Sequence, residues 1–267
     1  MRVENKVIMV TGGGNGLGRE LVLNLLKKGS EVVVVDINKA ALEETERIAG
    51  EYAGSLMIAE ADITNETKIE DVAAAILDRI GAIDGVINNA GIIQPFCKVE
   101  DVDANTIDRV FNINFMGTLN VIKVFLPYLL KRPEAHIVNV SSMGGFLPVA
   151  GQAIYGASKA AVKILSEALT SELSETNVGV STVFPGAMFT DIKANSGLGA
   201  DAGAGPEGHS KDAALSPSIA AEIIIKAIEK NQPRVFVGKD AKAMNLLYRI
   251  NPSMATNMIY KKISHKM

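Results

Sequence analysis

The chain has 267 residues, of which 48% are hydrophobic, and a formal net charge of −3. This charge argues against general nucleic-acid binding, which requires a basic face. The single cysteine, Cys97, excludes an internal disulfide and is typical of a reducing compartment, so we expect a cytoplasmic protein without a signal peptide. Apolar runs do not approach the roughly 18 residues of a membrane-spanning helix.

The chain begins with a predicted β-α-β unit whose first turn is rich in glycine. The apolar run at residues 6–10 leads into residues 11–18, and a helical pattern of leucines follows. The glycines have the spacing GxxxGxG, at Gly12, Gly16 and Gly18, instead of the more usual GxGxxG. A turn without side chains, followed by a helix N-terminus, still offers backbone N–H groups to a pyrophosphate. The unit therefore predicts dinucleotide binding.

The second strand, at residues 31–35, is followed directly by Asp36. A carboxylate at this point can accept hydrogen bonds from both ribose hydroxyls of NAD, and it repels the 2′-phosphate of NADP. The nearest cations, Arg19 and Lys39, are expected on solvated helix faces. We therefore expect NAD as the cofactor, with NADP less favoured.

Strands and helices alternate along the rest of the chain. The pattern predicts one α/β domain at residues 1–238, a Rossmann-like doubly wound parallel sheet of about seven strands with helices on both faces. Small residues at 187–216 predict a mobile substrate loop, and residues 239–267 form a C-terminal extension. The further predicted elements are helices at 39–53, 66–80, 105–131 and 218–230, and strands at 56–61, 85–87, 136–140, 178–184 and 234–237.

Tyr155 and Lys159 stand at positions i and i+4, at the start of an apolar helical run that ends near Glu175. The phenol and the ammonium are therefore expected on one side of the helix. Ser142 follows the strand at 136–140. A serine that faces a tyrosine and a lysine suits proton transfer at a hydroxyl or carbonyl carbon, although a surface tyrosine and a solvated lysine are the plainer alternative.

Over roughly residues 6–238 the chain resembles the short-chain dehydrogenases/reductases. The resemblance implies a single-domain oxidoreductase that uses NAD or NADP to act on CH–OH groups. It is carried by motifs in the family's order and at its spacings, namely residues 11–18, Asp36, Asp62, residues 88–91, Asn114, Ser142, Tyr155, Lys159, Pro185, Gly186 and Thr190.

The resemblance implies a catalytic role for four of these residues. Tyr155 would be the general acid/base, Ser142 would orient the substrate oxygen, and Asn114 would hold a water that links Lys159 to solvent. Lys159 would bind the nicotinamide ribose and keep the phenol acidic. An ammonium about 4 Å from the phenolate, with an effective dielectric constant near 20, stabilises the phenolate by about 4 kcal/mol. This energy is enough to lower the pKa of a phenol from about 10 to about 7.

The same resemblance implies the residues that contact the cofactor. Asp62 would meet the adenine, Thr190 the carboxamide, and residues 88–91 would lie against the cofactor and support the sheet. Asp62 and Thr190 could instead cap the segments that follow them, and Asn114 could merely distort its helix. The full expected set is Gly12, Asn15, Gly16, Leu17, Gly18, Asp36, Asp62, Ile63, Asn89, Ala90, Gly91, Tyr155, Lys159, Pro185, Gly186 and Thr190.

The segments expected to line the substrate site are mostly apolar and lack an arginine that could bind a carboxylate or phosphate. They predict an apolar secondary alcohol or ketone, such as a sterol, a long-chain carbinol or an aromatic carbinol, although ordinary core packing would explain them too. No metal site is expected, because the histidines are scattered. An NADPH-dependent reductase of 3-oxoacyl type and a non-catalytic NAD-binding regulator are the alternatives. The expected substrate contacts are Ser142, Gln94, Met143, Phe146 and Met188.

Two features predict partners. The helical segment at residues 105–131 and the Tyr155 helix are apolar on more than one side, which predicts a homodimer or homotetramer through an isologous four-helix contact. Residues 239–267 interleave six lysines and arginines with apolar side chains. This mixture suits peripheral contact with an anionic membrane, but a lid over the substrate or a subunit contact is favoured.

Overall fold

The computed structural model describes residues 1–188, 196–197 and 215–263. In this part of the chain, seven strands form one parallel sheet in the order β3-β2-β1-β4-β5-β6-β7. The predicted doubly wound sheet is confirmed. The strands are β1 (Val7–Thr11), β2 (Glu31–Asp36), β3 (Leu56–Glu60), β4 (Gly85–Asn88), β5 (Ala135–Val140), β6 (Val178–Pro185) and β7 (Arg234–Val237).

Helices cover both faces of the sheet, which explains why the strands are continuous apolar runs instead of alternating ones. In β2, Val32 and Val34 belong to one core cluster and Val33 and Val35 to the other, since successive side chains point to opposite faces. The helices are α1 (Gly16–Lys27), α2 (Lys39–Ala49), α3 (Glu66–Arg79), α4 (Ala104–Phe111), α5 (Thr118–Leu129), α6 (Ala153–Glu172), α7 (Pro217–Glu229), α8 (Lys239–Ile250) and α9 (Pro252–Ile263).

Two predicted helices differ from the observed ones. The helix predicted to reach residue 53 ends at Ala49, because Gly50 has φ +56°, and a 3-10 helix, Gly50–Ser55, follows. The long helix predicted at residues 105–131 spans Ala104–Leu129 and is interrupted by a π-helical segment, Asn112–Gly117. Such insertions often occur at functional sites.

By length and composition, the helical stretch Ala104–Leu129 could cross a membrane, contrary to the expectation from the sequence. Within the fold it has a packing role. Val121, Phe125 and Leu129 are buried in the core on the side of the sheet that also holds α3 and α6. The apolar composition therefore has an explanation in the core of the domain.

The C-terminal extension forms a pair of helices, α8 and α9, and α9 begins at Pro252. Met244 of α8 and Ala255 of α9 are buried against Leu147, in a cluster that also contains the partly buried Met143 and Phe146. The extension thus packs on the segment that follows Ser142. Most of the predicted loop at residues 187–216, including Thr190, lies outside the described residues.

Candidate active site

The three residues singled out for proton transfer meet beyond the carboxyl end of β5. Ser142 begins a 3-10 turn after this strand, and its hydroxyl oxygen accepts a hydrogen bond from the backbone N–H of Gly144 at 3.1 Å. The Ser142 side chain interacts with the phenol of Tyr155, in the first turn of α6, closely enough to lower the pKa of that phenol. Lys159, one turn later, is buried, with 4% of its surface exposed. The interpretation as a surface tyrosine and a solvated lysine is therefore wrong.

The ionisation of this group differs from the expectation. Burial raises the pKa of the Tyr155 phenol, and the interaction with Ser142 opposes that rise. Burial lowers the pKa of Lys159 to about 8, and its Nζ donates to the carbonyl oxygen of Val140 at 2.9 Å. Without cofactor, then, the phenol is less acidic than a free tyrosine, because desolvation outweighs the interaction with Ser142.

Asn114 links the π-helical segment to the same centre. Its Oδ1 accepts from the N–H of Ile92 at 2.8 Å, and its Nδ2 donates to the carbonyl oxygen of Ile92 at 3.0 Å and to Ser158 Oγ at 2.9 Å. A Cβ on Gly91 would lie 3.0 Å from both Asn114 Oδ1 and Lys159 Nζ. Asn114 and Lys159 are thus neighbours across Gly91. Asn114 lies in a distorted helix and also binds the backbone of Ile92 beside Lys159, so the distortion does not exclude the expected role in proton transfer.

The glycine-rich turn leaves the space that a pyrophosphate needs. Gly12 and Gly16 have φ of +66° and +51°, which glycine adopts freely. A Cβ on Gly12 would lie 2.8 Å from Ala90 Cα, and one on Gly18 would overlap the carbonyl oxygen of Gly12. The glycines therefore leave the backbone at the N-terminus of α1 without covering side chains, and Asn15 is the N-cap of this helix. These residues fit the pyrophosphate of a dinucleotide. Leu17 is buried in the core.

Thr11 joins this turn to the one after β4. Its hydroxyl oxygen accepts from the backbone N–H groups of Asn89 and Ala90, both at 3.1 Å. In return, Asn89 Nδ2 donates to the carbonyl oxygens of Thr11 and Gly12, again at 3.1 Å. Two turns far apart in the chain therefore form one surface beside the expected cofactor position.

Asp36 is tied to the glycine-rich turn, since its Oδ2 accepts from the N–H of Gly14 at 2.9 Å. The expectation for Arg19 is wrong. Its Nε donates to Thr45 Oγ1 at 3.0 Å and its guanidinium also donates to the carbonyl oxygen of Gly14. Arg19 is therefore half-buried beside the turn that contacts Asp36, whereas Lys39 is exposed as expected.

The carboxylate of Asp62 folds back on its own loop. Its Oδ1 accepts from the backbone N–H and the hydroxyl of Thr64, both at 2.8 Å. Asn65 caps α3 by accepting from Lys68 N, so the interpretation of Asp62 as the helix cap is wrong. Ile63 is buried, and its side chain fills the space that a Cβ on Gly117 would need.

Gln94 was expected to contact the substrate, and the structure contradicts this. The residue is completely buried. Its Oε1 accepts from the N–H of Tyr155 at 2.9 Å, and its Nε2 donates to the carbonyl oxygen of Gly151 at 3.4 Å. Because its polar atoms are engaged by the backbone, Gln94 positions the start of α6 instead. A lone glutamine in a loop gave no signal of this role.

The other expected substrate contacts lie partly buried on the apolar side of the site. Met143 and Phe146 pack in the cluster with Leu147 and the C-terminal helices. The Phe146 ring meets those of Phe184 and Phe236 edge-on, with centroids 5.7 and 5.9 Å apart. Met188 is half-buried and pairs with Leu215 in an isolated bridge.

One residue at the site escaped the sequence analysis. Asp240, in the first turn of α8, accepts from the backbone N–H of Ala187 through Oδ2 at 2.8 Å. A Cβ on Gly186 would overlap this carboxylate. Pro185 and Gly186, expected beside the cofactor, are therefore held by the C-terminal extension. In the sequence, Asp240 is only one acid among basic residues.

Comparison with known proteins agrees with this geometry. A family model described as short chain dehydrogenase matches residues 6–200. SadH of Mycobacterium tuberculosis, which is named as an oxidoreductase, is 34% identical over 261 residues, covering 96% of this chain and 94% of its own. An uncharacterized oxidoreductase of Staphylococcus epidermidis is 35% identical over 198 residues, covering 74% of this chain and 84% of its own.

Solved structures have the same architecture. A short-chain dehydrogenase/reductase of Burkholderia phymatum, in complex with NAD, has a TM-score of 0.85 and 25% identity, and the match covers 95% of this chain and 96% of that one. A short-chain dehydrogenase of Burkholderia cenocepacia, in complex with NADP, has a TM-score of 0.80 and 25% identity, covering 97% and 99%. Both nicotinamide cofactors therefore occur among similar proteins.

Proposed function

This chain is an oxidoreductase of the short-chain dehydrogenase family, and from that premise we propose that it transfers hydride between NAD and an apolar secondary alcohol or ketone. The observation that carries the proposal is the interaction of Ser142 with the Tyr155 phenol, one helical turn from the buried Lys159. A tyrosine with only a packing role would not need a serine hydroxyl and a buried lysine beside its phenol. The same arrangement argues against a non-catalytic NAD-binding regulator.

In this proposal, Ser142 and Tyr155 bind the substrate oxygen together. For oxidation, the Tyr155 phenolate takes the hydroxyl proton of the alcohol; for reduction, the phenol gives a proton to the carbonyl oxygen. A bound nicotinamide accepts or supplies the hydride. Lys159, with a pKa of about 8, is still largely an ammonium at neutral pH and can donate to the ribose hydroxyls. Asn114, next to Lys159, positions a water that carries protons to solvent.

The raised pKa of Tyr155 bears on the direction of the reaction. A neutral phenol is a competent proton donor near pH 7, whereas a base for alcohol oxidation must first lose its proton. Oxidation by this protein should therefore need more alkaline conditions than reduction.

Asp36 supports NAD as the cofactor. Its carboxylate is held against the glycine-rich turn by Gly14, where the ribose hydroxyls would lie and a 2′-phosphate would be repelled. One observation favours a second candidate, an NADPH-dependent reductase of 3-oxoacyl type. Arg19 holds a guanidinium beside the same Gly14, and this charge could partly offset the repulsion.

The proposed substrate class rests on the segment after Ser142. Met143 and Phe146 are partly buried among Leu147 and apolar residues of α8 and α9. An apolar wall of this kind gains binding energy from hydrocarbon and offers no partner to a phosphate or carboxylate. Sterols, long-chain carbinols and aromatic carbinols are the proposed substrates.

The test is a panel of lipophilic secondary alcohols offered with NAD or NADP at alkaline pH, with formation of the reduced cofactor followed by absorbance. Turnover with NAD, abolished in Tyr155→Phe, supports the proposal. Turnover of 3-oxoacyl thioesters with NADPH supports the second candidate. Cofactor binding by calorimetry without turnover of any alcohol, ketone or thioester supports the regulator.

We also propose that the protein is a homo-oligomer. Ile164 on α6 and Met116 in the π-helical segment are 59% and 41% exposed, although both are large apolar side chains. They lie on the two helical segments predicted to meet a second copy, and α4 and α6 are in contact. An isologous contact across these helices would remove both side chains from water.

A further inference from the structure

The C-terminal helices α8 and α9 expose large apolar side chains on the side that faces away from the domain. Leu246 is 61% exposed, Ile250 73%, Met254 56% and Met258 43%. Residues 246 and 250 are one turn apart on α8, and residues 254 and 258 are one turn apart on α9, so each pair lies on one side of its helix. We call this outward surface of the two helices the tail face.

The tail face is not a surface left over from incomplete packing of the domain. On α8 the opposite side is already occupied, because Met244 is buried against Leu147, whereas on α9 the buried Ala255 lies within one turn of the exposed Met254 and Met258. Helix α8 therefore has two apolar sides, of which the domain covers one, and the apolar side of α9 extends beyond the part that the domain covers. A helix that covers a domain needs a single apolar stripe, so the second stripe calls for a partner outside the domain.

The charges around these side chains have one sign. Lys239, Lys242, Arg249 and Lys261 are exposed, and the only acid between residues 239 and 261 is Asp240. The carboxylate of Asp240 accepts from the N–H of Ala187 and so is engaged by the domain. The tail face is thus basic and apolar on a chain whose net charge is −3.

This charge decides between possible partners. In an isologous contact between two tail faces, four cations of each copy would meet four of the other without an acid to pair them, which is unfavourable. A nucleic acid would satisfy the cations but would leave the exposed leucine, isoleucine and methionines without an apolar partner. An anionic lipid surface satisfies both, because lysine and arginine bind the phosphates while the apolar side chains enter the acyl boundary.

We propose that the tail face is a docking surface for an anionic phospholipid bilayer. The helices α8 and α9 would lie in the plane of the interface, and the domain would stay on the aqueous side. The inner side of these helices packs on Met143 and Phe146, the segment next to Ser142. Docking would therefore bring the substrate side of the site close to the lipid. Binding of the bilayer itself does not depend on the proposed reaction.

The chain has no tryptophan, which allows a direct test with the full-length protein. Leu246→Trp places a single fluorophore on the tail face, and Ile48→Trp, on α2 and 41% exposed, is the matched control. Vesicles of phosphatidylcholine alone and of phosphatidylcholine with phosphatidylglycerol are the probes. We expect a blue shift for Leu246→Trp with the anionic vesicles only, reduced by high salt, and none for Ile48→Trp.

Co-sedimentation of the unmodified chain with the same vesicles gives an independent measurement. We expect Lys242→Glu combined with Arg249→Glu to lower the partition coefficient about tenfold or more. If the unmodified chain stays in the supernatant with anionic vesicles, or the double variant binds equally well, the proposal is overturned. It is also overturned if Leu246→Ser changes the oligomeric state while vesicle binding stays intact, because the tail face would then contact a second copy.

Discussion

The Oδ2 atom of Asp240 accepts a hydrogen bond from the backbone N–H of Ala187 at 2.8 Å, and 53 residues of chain separate the two. Through this bond the first turn of α8 holds the loop that leaves β6, where Pro185 and Gly186 are expected to contact the cofactor. The C-terminal extension is therefore attached to the active site at two points. The other is the packing of Met244 against the segment after Ser142.

Replacement of Asp240 by alanine should loosen the loop after β6. We expect Asp240→Ala to lower the free energy of unfolding by about 1–2 kcal/mol, because a backbone donor loses a charged acceptor. The KM for the nicotinamide cofactor should rise several-fold while kcat changes less. Asp240→Asn keeps an oxygen acceptor and should restore most of the binding, and Lys242→Ala, exposed on the same helix, is the control. Lost stability with an unchanged KM would reduce Asp240 to a purely structural role.

Tyr155→Phe should remove nearly all turnover while NAD still binds. The change deletes the phenolic proton and the partner of Ser142, but it keeps the ring. Single-turnover kinetics together with calorimetric titration of NAD would measure the two effects separately. Tyr52→Phe, at an exposed tyrosine, should leave both unchanged. Substantial residual turnover would show that another group is the acid/base.

The cofactor preference should move from NAD towards NADP when Asp36→Ala is combined with Ile37→Arg. The first change removes the carboxylate that would repel a 2′-phosphate, and the second adds a cation at a side chain that is 66% exposed. Arg19, already bonded to the carbonyl oxygen of Gly14, should strengthen the effect, so Arg19→Met in the same background should reverse part of it. The measurement is the ratio of kcat/KM for the two cofactors, and an unchanged ratio contradicts the role given to Asp36.

The stability of the cofactor-free protein should depend on the titration of Lys159. Its pKa is about 8 in the folded chain against an ordinary 10.5. Between these values the unfolded chain binds more protons, so the free energy of unfolding rises with pH. The rise from about pH 7.5 to 9.5 amounts to about 2 kcal/mol. Above about pH 10 the raised pKa of Tyr155 opposes it, because the folded phenol keeps its proton.

Urea unfolding at these two pH values measures the effect of Lys159. Lys159→Met keeps an apolar stem of similar length but has no amine to titrate. The rise with pH should therefore be smaller in this variant by about the same 2 kcal/mol. An equal rise in both proteins would mean that the lysine keeps an ordinary pKa in the folded state.

The proposed oligomer should dissociate when a charge is placed on its contact. We expect the unmodified protein to behave as a dimer or tetramer in light scattering at micromolar concentration. Ile164→Glu should shift it towards a monomer near 28.3 kDa, because an uncompensated carboxylate would be buried in the interface. Ile48→Glu, at an exposed isoleucine of α2, is the control. A fully active monomer of the unmodified chain would refute the proposal.

The sequence by itself determined the features that depend on neighbours in the chain. The alternation of β-branched runs with helical patterns predicted the doubly wound sheet, because the period of apolar residues follows directly from strand and helix geometry. The spacing of Gly12, Gly16 and Gly18 predicted a bare turn, and the i, i+4 spacing of Tyr155 and Lys159 predicted that they share one side of α6. These relationships are local, so they needed no knowledge of the tertiary structure.

The tertiary structure alone decided the features that depend on residues distant in the chain. Gln94 is buried, and its Oε1 accepts from the N–H of Tyr155, 61 residues away in the chain. The carboxylate of Asp240 accepts from the N–H of Ala187, 53 residues away. Arg19 turns towards Gly14 and Thr45 instead of solvent. The pKa values of Tyr155 and Lys159 are shifted mainly by burial. Side-chain direction and desolvation are set by what packs around a residue, and no pattern of nearby residues contains that information.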